Sequence, residues 1–408
     1  MFCVLLMGLL QVVFTQCTGG DSGDSAEMPG GGVNPERQPT EVRHPIEDAL
    51  LSNSTDAPVH DLAFSDLEAL AADRFSVLAR FPAEGAVGSL GMMSDDTTQV
   101  LGEIVDGLIL PPGSPSEVAL LDQSYGVVRT FAPDGTPLAT FGGIGEGPGE
   151  LTWPAALGYA GGSFLVLDAA MKVEQYGWNG AEWEPASRIP LPMDAQDLCP
   201  LRDGLALIGM RTGDDGMLGT AHDPRAVHIL SSSDGEISSS FSAPYSYDGV
   251  LALWYMMRGK LACDAGRGRV WVAYETLGEV HALDLDGTLL WIARLTDMVT
   301  PKMVEMEGEA IRGDTEEGQP IEIISNISLL DGSALAVQVT SALFQRGGED
   351  DQPNRTVSYR TYLMDAESGR GLGGFRGSHR VLGGGGGRAI LYRDDPFPQF
   401  AVVPLGGG

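Results

Sequence analysis

The sequence predicts an all-β chain folded as a six-bladed β-propeller, and three observations carry that prediction. Short apolar stretches alternate with glycine turns from Arg74 to the C-terminus, without long helical periodicity. Glycine (56) and proline (25) together form about a fifth of the 408 residues, a turn-rich composition that argues against a helical bundle. A double-turn unit also recurs six times. Its first-turn glycines are Gly113, Gly162, Gly204, Gly268, Gly332 and Gly387, spaced 49, 42, 64, 64 and 55 residues apart. A four-stranded blade takes ~40–50 residues, so the longer intervals hold insertions.

The second turns are Asp134-Gly135, Asn179-Gly180, Asp234-Gly235, Asp286-Gly287 and, more loosely, Ser368-Gly369. Asn-Gly and Asp-Gly suit tight hairpins because both central residues take positive φ. The sixth unit holds only three strands after Arg380. The N-terminal strand RFSVLARF (74–81) is expected to close this last blade by pairing beside 398–405, which would remove open edges and lock the circle.

The remaining segments are read from composition. Residues 1–17 are apolar, carry no charge and are too short to span a membrane, so they read as an export signal. Cys17 stands where a bacterial lipoprotein signal places its lipidated cysteine, although Gln16 replaces the usual small residue and no Lys or Arg comes first. Residues 18–72 read as a flexible acidic tether with eleven acidic and two basic residues, with a short helix expected around 61–72. The propeller is assigned to 73–408. The formal net charge of -31 disfavours nucleic acid and anionic membrane surfaces as partners, leaving membrane contact to the lipid anchor alone. The expected location is periplasmic or cell-surface.

Residues 127–168 carry Phe141-Gly142-Gly143, Gly145-Glu146-Gly147-Pro148-Gly149-Glu150 and Pro154. This segment resembles the NHL-type six-bladed propellers of exported bacterial proteins. The resemblance is close over about 40 residues and otherwise limited to turn placement. It implies a propeller fold and a binding role, and it assigns no chemistry, since enzymes and scaffolds share the fold.

In a propeller, the connections between second and third strands and between blades leave one end of the ring, here called the upper face. The long connections 142–154, 211–226, 241–259, 296–325 and 345–356 are all of these two kinds. Long loops on a rigid scaffold are where binding residues collect. The connection 241–259 holds Tyr245, Tyr247, Trp254, Tyr255 and Arg258, residue types that dominate contact surfaces, and Trp153 ends 142–154. Residues 303–311 are expected to form a short amphipathic lid helix.

The expected function is a non-catalytic module binding a protein, peptide or glycan, with no cofactor. The alternative is a calcium- or zinc-dependent hydrolase or lyase with a central-channel site. Asp106, Asp197 and Asn326 lie where inner strands begin, and hard oxygen ligands suit calcium. No two of the six histidines have zinc-site spacing, and His228 and His281 occupy a repeat position that reads as structural. Arg312-Gly313-Asp314 is a short motif with no supporting context, and Gly20-Asp21-Ser22-Gly23 lies in the tether without an ordered histidine and aspartate. Cys199 and Cys263 sit at equivalent inner-strand positions of adjacent blades. Their side chains are expected to point the same way round the ring, as unpaired core thiols.

Overall fold

The computed structural model describes residues 57–70, 73–82, 101–132, 134–211, 225–231, 235–242, 256–300, 302–306, 310–314, 319–345, 354–395 and 398–406. The described chain begins with β1 (Val59–Leu62), α1 (Phe64–Ala69) and a 3₁₀ helix at Asp73–Ala79. Blade one is β2 (Ile104–Ile109), β3 (Val118–Asp122), β4 (Val127–Phe131) and β5 (Pro137–Gly142). Blade two is β6 (Pro154–Ala160), β7 (Ser163–Asp168), β8 (Lys172–Trp178) and β9 (Trp183–Pro190). Blade three is β10 (Met193–Pro200), β11 (Gly204–Arg211), β12 (Val227–Ser231) and β13 (Ile237–Phe241). Blade four is β14 (Gly259–Asp264), β15 (Arg269–Tyr274), β16 (Glu279–Asp284) and β17 (Leu289–Leu295). A hairpin, β18 (Lys302–Met306) and β19 (Ala310–Asp314), precedes blade five. Blade five is β20 (Ile321–Leu329), β21 (Ala334–Gln345), β22 (Asn354–Asp365) and β23 (Gly371–Gly377). Blade six is β24 (Arg380–Gly385), β25 (Arg388–Arg393) and β26 (Gln399–Pro404).

Each blade is an antiparallel meander. The six inner strands touch in cyclic order, and β24 touches β2, so the ring closes. The turn glycines explain the meanders: all the aligned first- and second-turn glycines except Gly204 have positive φ. Second strands such as Val118–Asp122 are buried along their whole length because a blade stands against each face. The core therefore divides into six apolar clusters, one at each blade–blade interface.

Four expectations are corrected. Residues 74–81 form no ladder with β26, and blade six has three strands. The segment runs as the 3₁₀ helix beside β26, with Phe75 and Leu78 buried between blades five and six and Gly406 N–H donating to Arg74 O (3.1 Å). An i, i+3 pair of buried residues fits the period of a 3₁₀ helix, whereas a strand would have buried alternate positions.

Residues 59–69, expected to belong to the 18–72 tether, are part of the fold. β1 adds in parallel to the outer strand β17, and α1 buries Phe64 and Leu67 between blades four and five. Asp297 holds this clasp by accepting from Phe64 N–H and Tyr362 Oη and pairing with Arg360. Residues 1–56 lie outside the described part. The expected lid helix at 303–311 is replaced by the β18–β19 hairpin, in which Lys302 opposes Asp314.

Cys199 and Cys263 form a disulfide, with Cα atoms 5.9 Å apart. The carboxylate of Asp197 accepts from Leu261 N–H (2.8 Å) at the same 64-residue offset that relates the two cysteines. Bonded across the interface in that register, β10 and β14 bring the two thiols within bridging range.

Candidate functional site at the long-connection end

The five long connections leave the sheets at one end, as their positions between second and third strands or between blades require. The 142–154 connection is described throughout. Tyr245, Tyr247, Trp254 and Tyr255 lie outside the described residues. The same connection then turns inward, with Met256 and Met257 buried between blades three and four. Arg258 is held within the fold, its Nε donating to Glu275 Oε2 (2.9 Å) while Glu275 N–H donates to Arg258 O (2.9 Å). Trp153 is half-buried, and its N–H donates to Asp168 Oδ1 (3.0 Å).

The three channel candidates share one local geometry. Asp106, Asp197 and Asn326 each follow an irregularity in the inner-strand register. Each side chain reaches across to the inner strand of the next blade. Asp106 Oδ2 accepts from Leu157 N–H (2.8 Å) and Asp197 Oδ2 from Leu261 N–H (2.8 Å). Asn326 Nδ2 donates to Val381 O (2.5 Å) and Leu382 O (3.2 Å). Blades one, three and five are thus tied to two, four and six, and removing any of these side chains would orphan backbone groups next to the channel. The second carboxylate oxygens accept from the following residue, Gly107 N–H (2.7 Å) for Asp106 and Leu198 N–H (2.8 Å) for Asp197.

The structure brings Asp106 and Asp197 into electrostatic range of each other and of Lys260, which precedes Leu261 on β14. Burial, followed by the charge of Asp197, pushes the Asp106 carboxyl up to about 7, against the Leu157 amide, Lys260 and the Gly107 amide. Burial also raises Asp197, opposed by Lys260 and the Leu261 and Leu198 amides. With Lys260 beside them, the two carboxyls already have a cation of their own. Among the described residues, no three His, Cys, Asp or Glu side chains could hold a metal ion.

The described histidines of the repeat are internal. His228 is buried between Ser240 Oγ (2.8 Å) and Gly209 O (3.3 Å), and His281 lies 3.0 Å from Glu279 Oε2. His379 is buried 2.8 Å from Leu78 O, fastening the 3₁₀ helix.

The 142–154 connection carries a surface that the sequence reading did not single out. Ile144 is 68% exposed at its tip, and Tyr125, 45% exposed, lies in the turn between the second and third strands of blade one. The two are brought together by Gly143 N–H donating to Gly126 O (2.8 Å), and Ile144 lies against Gly126 itself. Leu151 N–H donates back to Gly143 O (2.7 Å), and Gly147 N–H donates to Glu150 Oε2 (2.8 Å). Blade two fixes the connection from below: Tyr176 Oη donates to Gly149 O (2.7 Å), Lys172 Nζ to Glu150 O (2.7 Å) and Arg188 Nη2 to Gly147 O (2.6 Å). One glycine is required here: a Cβ on Gly149, at φ +72°, would lie 2.2 Å from the Pro185 ring.

No protein-family model matches the chain, and no curated protein matches it. Among solved structures it is similar to a protein of Bacteroides fragilis named as a candidate exported protein, at 10% identity and a TM-score of 0.49, covering 85% of this chain and 99% of that one. It is also similar to a DUF4221 family member from Bacteroides vulgatus (10% identity, TM-score 0.44, covering 74% and 98%). A third is BamB from Moraxella catarrhalis (10% identity, TM-score 0.33, covering 74% and 98%). Likeness at this level assigns the chain neither a family nor an activity.

Proposed function

We propose that this chain is an exported, non-catalytic binding propeller that engages a protein, peptide or glycan through the end of the ring bearing its long connections. The observation that carries the reading is their one-sided placement: β5 to β6, β13 to β14, β17 to β20, β11 to β12 and β21 to β22 all open at the same end. Export is supported by the apolar, uncharged residues 1–17 and by the Cys199–Cys263 disulfide, which suits an oxidising compartment. Lipid attachment at Cys17 is part of the reading. So is an NHL-type ancestry for the blades, supported by the Gly-rich connection after Phe141. A calcium or zinc enzyme is the weaker reading, because Lys260 faces the same two carboxylates and supplies the positive charge a metal would bring.

The test is capture of a partner from an extract of the source cell with the full chain, followed by carboxylate-directed crosslinking. Crosslinks confined to the long-connection end support the reading. Crosslinks on the turns between third and fourth strands contradict it. Lipid labelling that persists in Cys17→Ser removes the anchor.

A further inference from the structure

Most apolar side chains in the described ring point into blade interfaces, and Ile144 does the opposite. It is the most exposed large hydrophobic residue of the described chain and sits on one of its most heavily hydrogen-bonded connections. A lone exposed apolar residue needs no explanation. Here, however, a second exposed residue, Tyr125, stands beside it through the Gly126–Gly143 bond. The Arg129 guanidinium lies 5.3 Å from the Tyr125 ring centre and is itself paired with buried Asp122 (3.0 Å), so the ring is backed by a fixed cation. The platform is preformed, and a preformed contact surface loses little entropy on binding.

The rim has one sign of charge. Glu146 and Glu150 are exposed on the connection that carries the platform. The nearby cations are occupied: Arg188 pairs with Glu174 and with the connection's carbonyls, and Lys172 with Glu174 and Asp168. Resting on the functional reading above, we propose that Tyr125 and Ile144 form a docking platform for a partner protein's basic peptide segment, whose apolar residue seats on the platform while its Lys or Arg side chains meet the glutamate rim.

The test uses the full chain and three labelled peptides: alternating lysine–leucine, alternating glutamate–leucine and alternating lysine–serine, titrated by fluorescence anisotropy. The lysine–leucine peptide is expected to bind best. Ile144→Ser and Tyr125→Ala should each weaken it by about tenfold or more, as for central contact residues, with unchanged melting temperature. Leu138→Ser, which removes another exposed apolar side chain at the opposite end of blade one, should bind like the wild type. Glu146→Gln should weaken binding and flatten its salt dependence. The proposal is overturned if the lysine–leucine peptide does not bind, if the lysine–serine peptide binds equally, or if both platform variants bind unchanged. A captured partner that crosslinks to the long-connection end yet binds Ile144→Ser normally would remove the platform and leave the functional reading standing. Crosslinks at the opposite end would remove that reading.

Discussion

Two additions to the same ring use their apolar residues in opposite ways. The β1–α1 clasp buries Leu62, Phe64 and Leu67 against blades four and five. The 142–154 connection uses its hydrogen bonds to hold Ile144 outward. The clasp combines its ladder to β17 and the Phe64–Asp297 bond with burial of its apolar side chains. The connection gains order from polar ties and leaves its apolar tip exposed. Fastening and display therefore leave different signatures: substitutions in the first should alter stability, and substitutions in the second should alter recognition.

The largest effect is expected in the clasp. Phe64 is fully buried, its ring 5.1 Å from that of Tyr362, so Phe64→Ala should cost about 3–5 kcal/mol in chemical denaturation. A change within experimental error would mean that the clasp does not hold the ring. Leu78→Ala, in the 3₁₀ wedge between blades five and six, should cost about 2–5 kcal/mol by the same measurement. Loss of the disulfide should follow, at about 2–4 kcal/mol for Cys199→Ala with Cys263→Ala, checked by melting with and without reductant. Reductant should leave the melting of the double variant unchanged.

A pH-dependent effect is expected at the channel. The folded state raises Asp106 from 3.8 to about 7, so between those values it binds a proton that the unfolded chain releases. The contribution of this group to stability is therefore present at low pH and lost as pH rises through the window. Asp106→Asn cannot ionise, so relative to wild type it should gain stability between pH 4 and 8. Denaturation midpoints at several pH values measure this, and a pH-independent difference would refute it. The smallest effect on stability belongs to the display region, where Ile144→Ser should stay within ~0.5 kcal/mol of wild type.

The repeat was legible in the sequence because turn chemistry is local. Gly135, Gly180, Gly235, Gly287 and Gly369 all adopt the positive φ that their dipeptides announce. The three strands of blade six and the bounds of 142–154, 211–226 and 241–259 could be read for the same reason, whereas β20 begins at Ile321 and β22 at Asn354, inside the last two connections as read. The N-terminal elements could not. RFSVLARF satisfies a strand pattern through Phe75, Val77 and Ala79 and a 3₁₀ pattern through Phe75 and Leu78, and the shape of the gap between blades five and six decided between them. In β1 only Leu62 is buried, so no apolar alternation marked it, and the open edge of β17 made the strand. Asp106, Asp197 and Asn326 stood out by position, yet their partners are backbone groups of the following blade, which no side-chain motif encodes. The disulfide was missed because the Asp197–Leu261 register that aligns the cysteines is likewise a tertiary feature.

Binding through the long-connection end predicts protection of that end of the ring. Hydrogen exchange of the full chain with and without the lysine–leucine peptide tests it most directly, because backbone amides report from both ends at once. Slowed exchange confined to 123–126 and 142–154 and the neighbouring long connections is the expected result. Slowed exchange centred on the turns at Gly135, Gly180 and Gly287, with no change in 142–154, would contradict it.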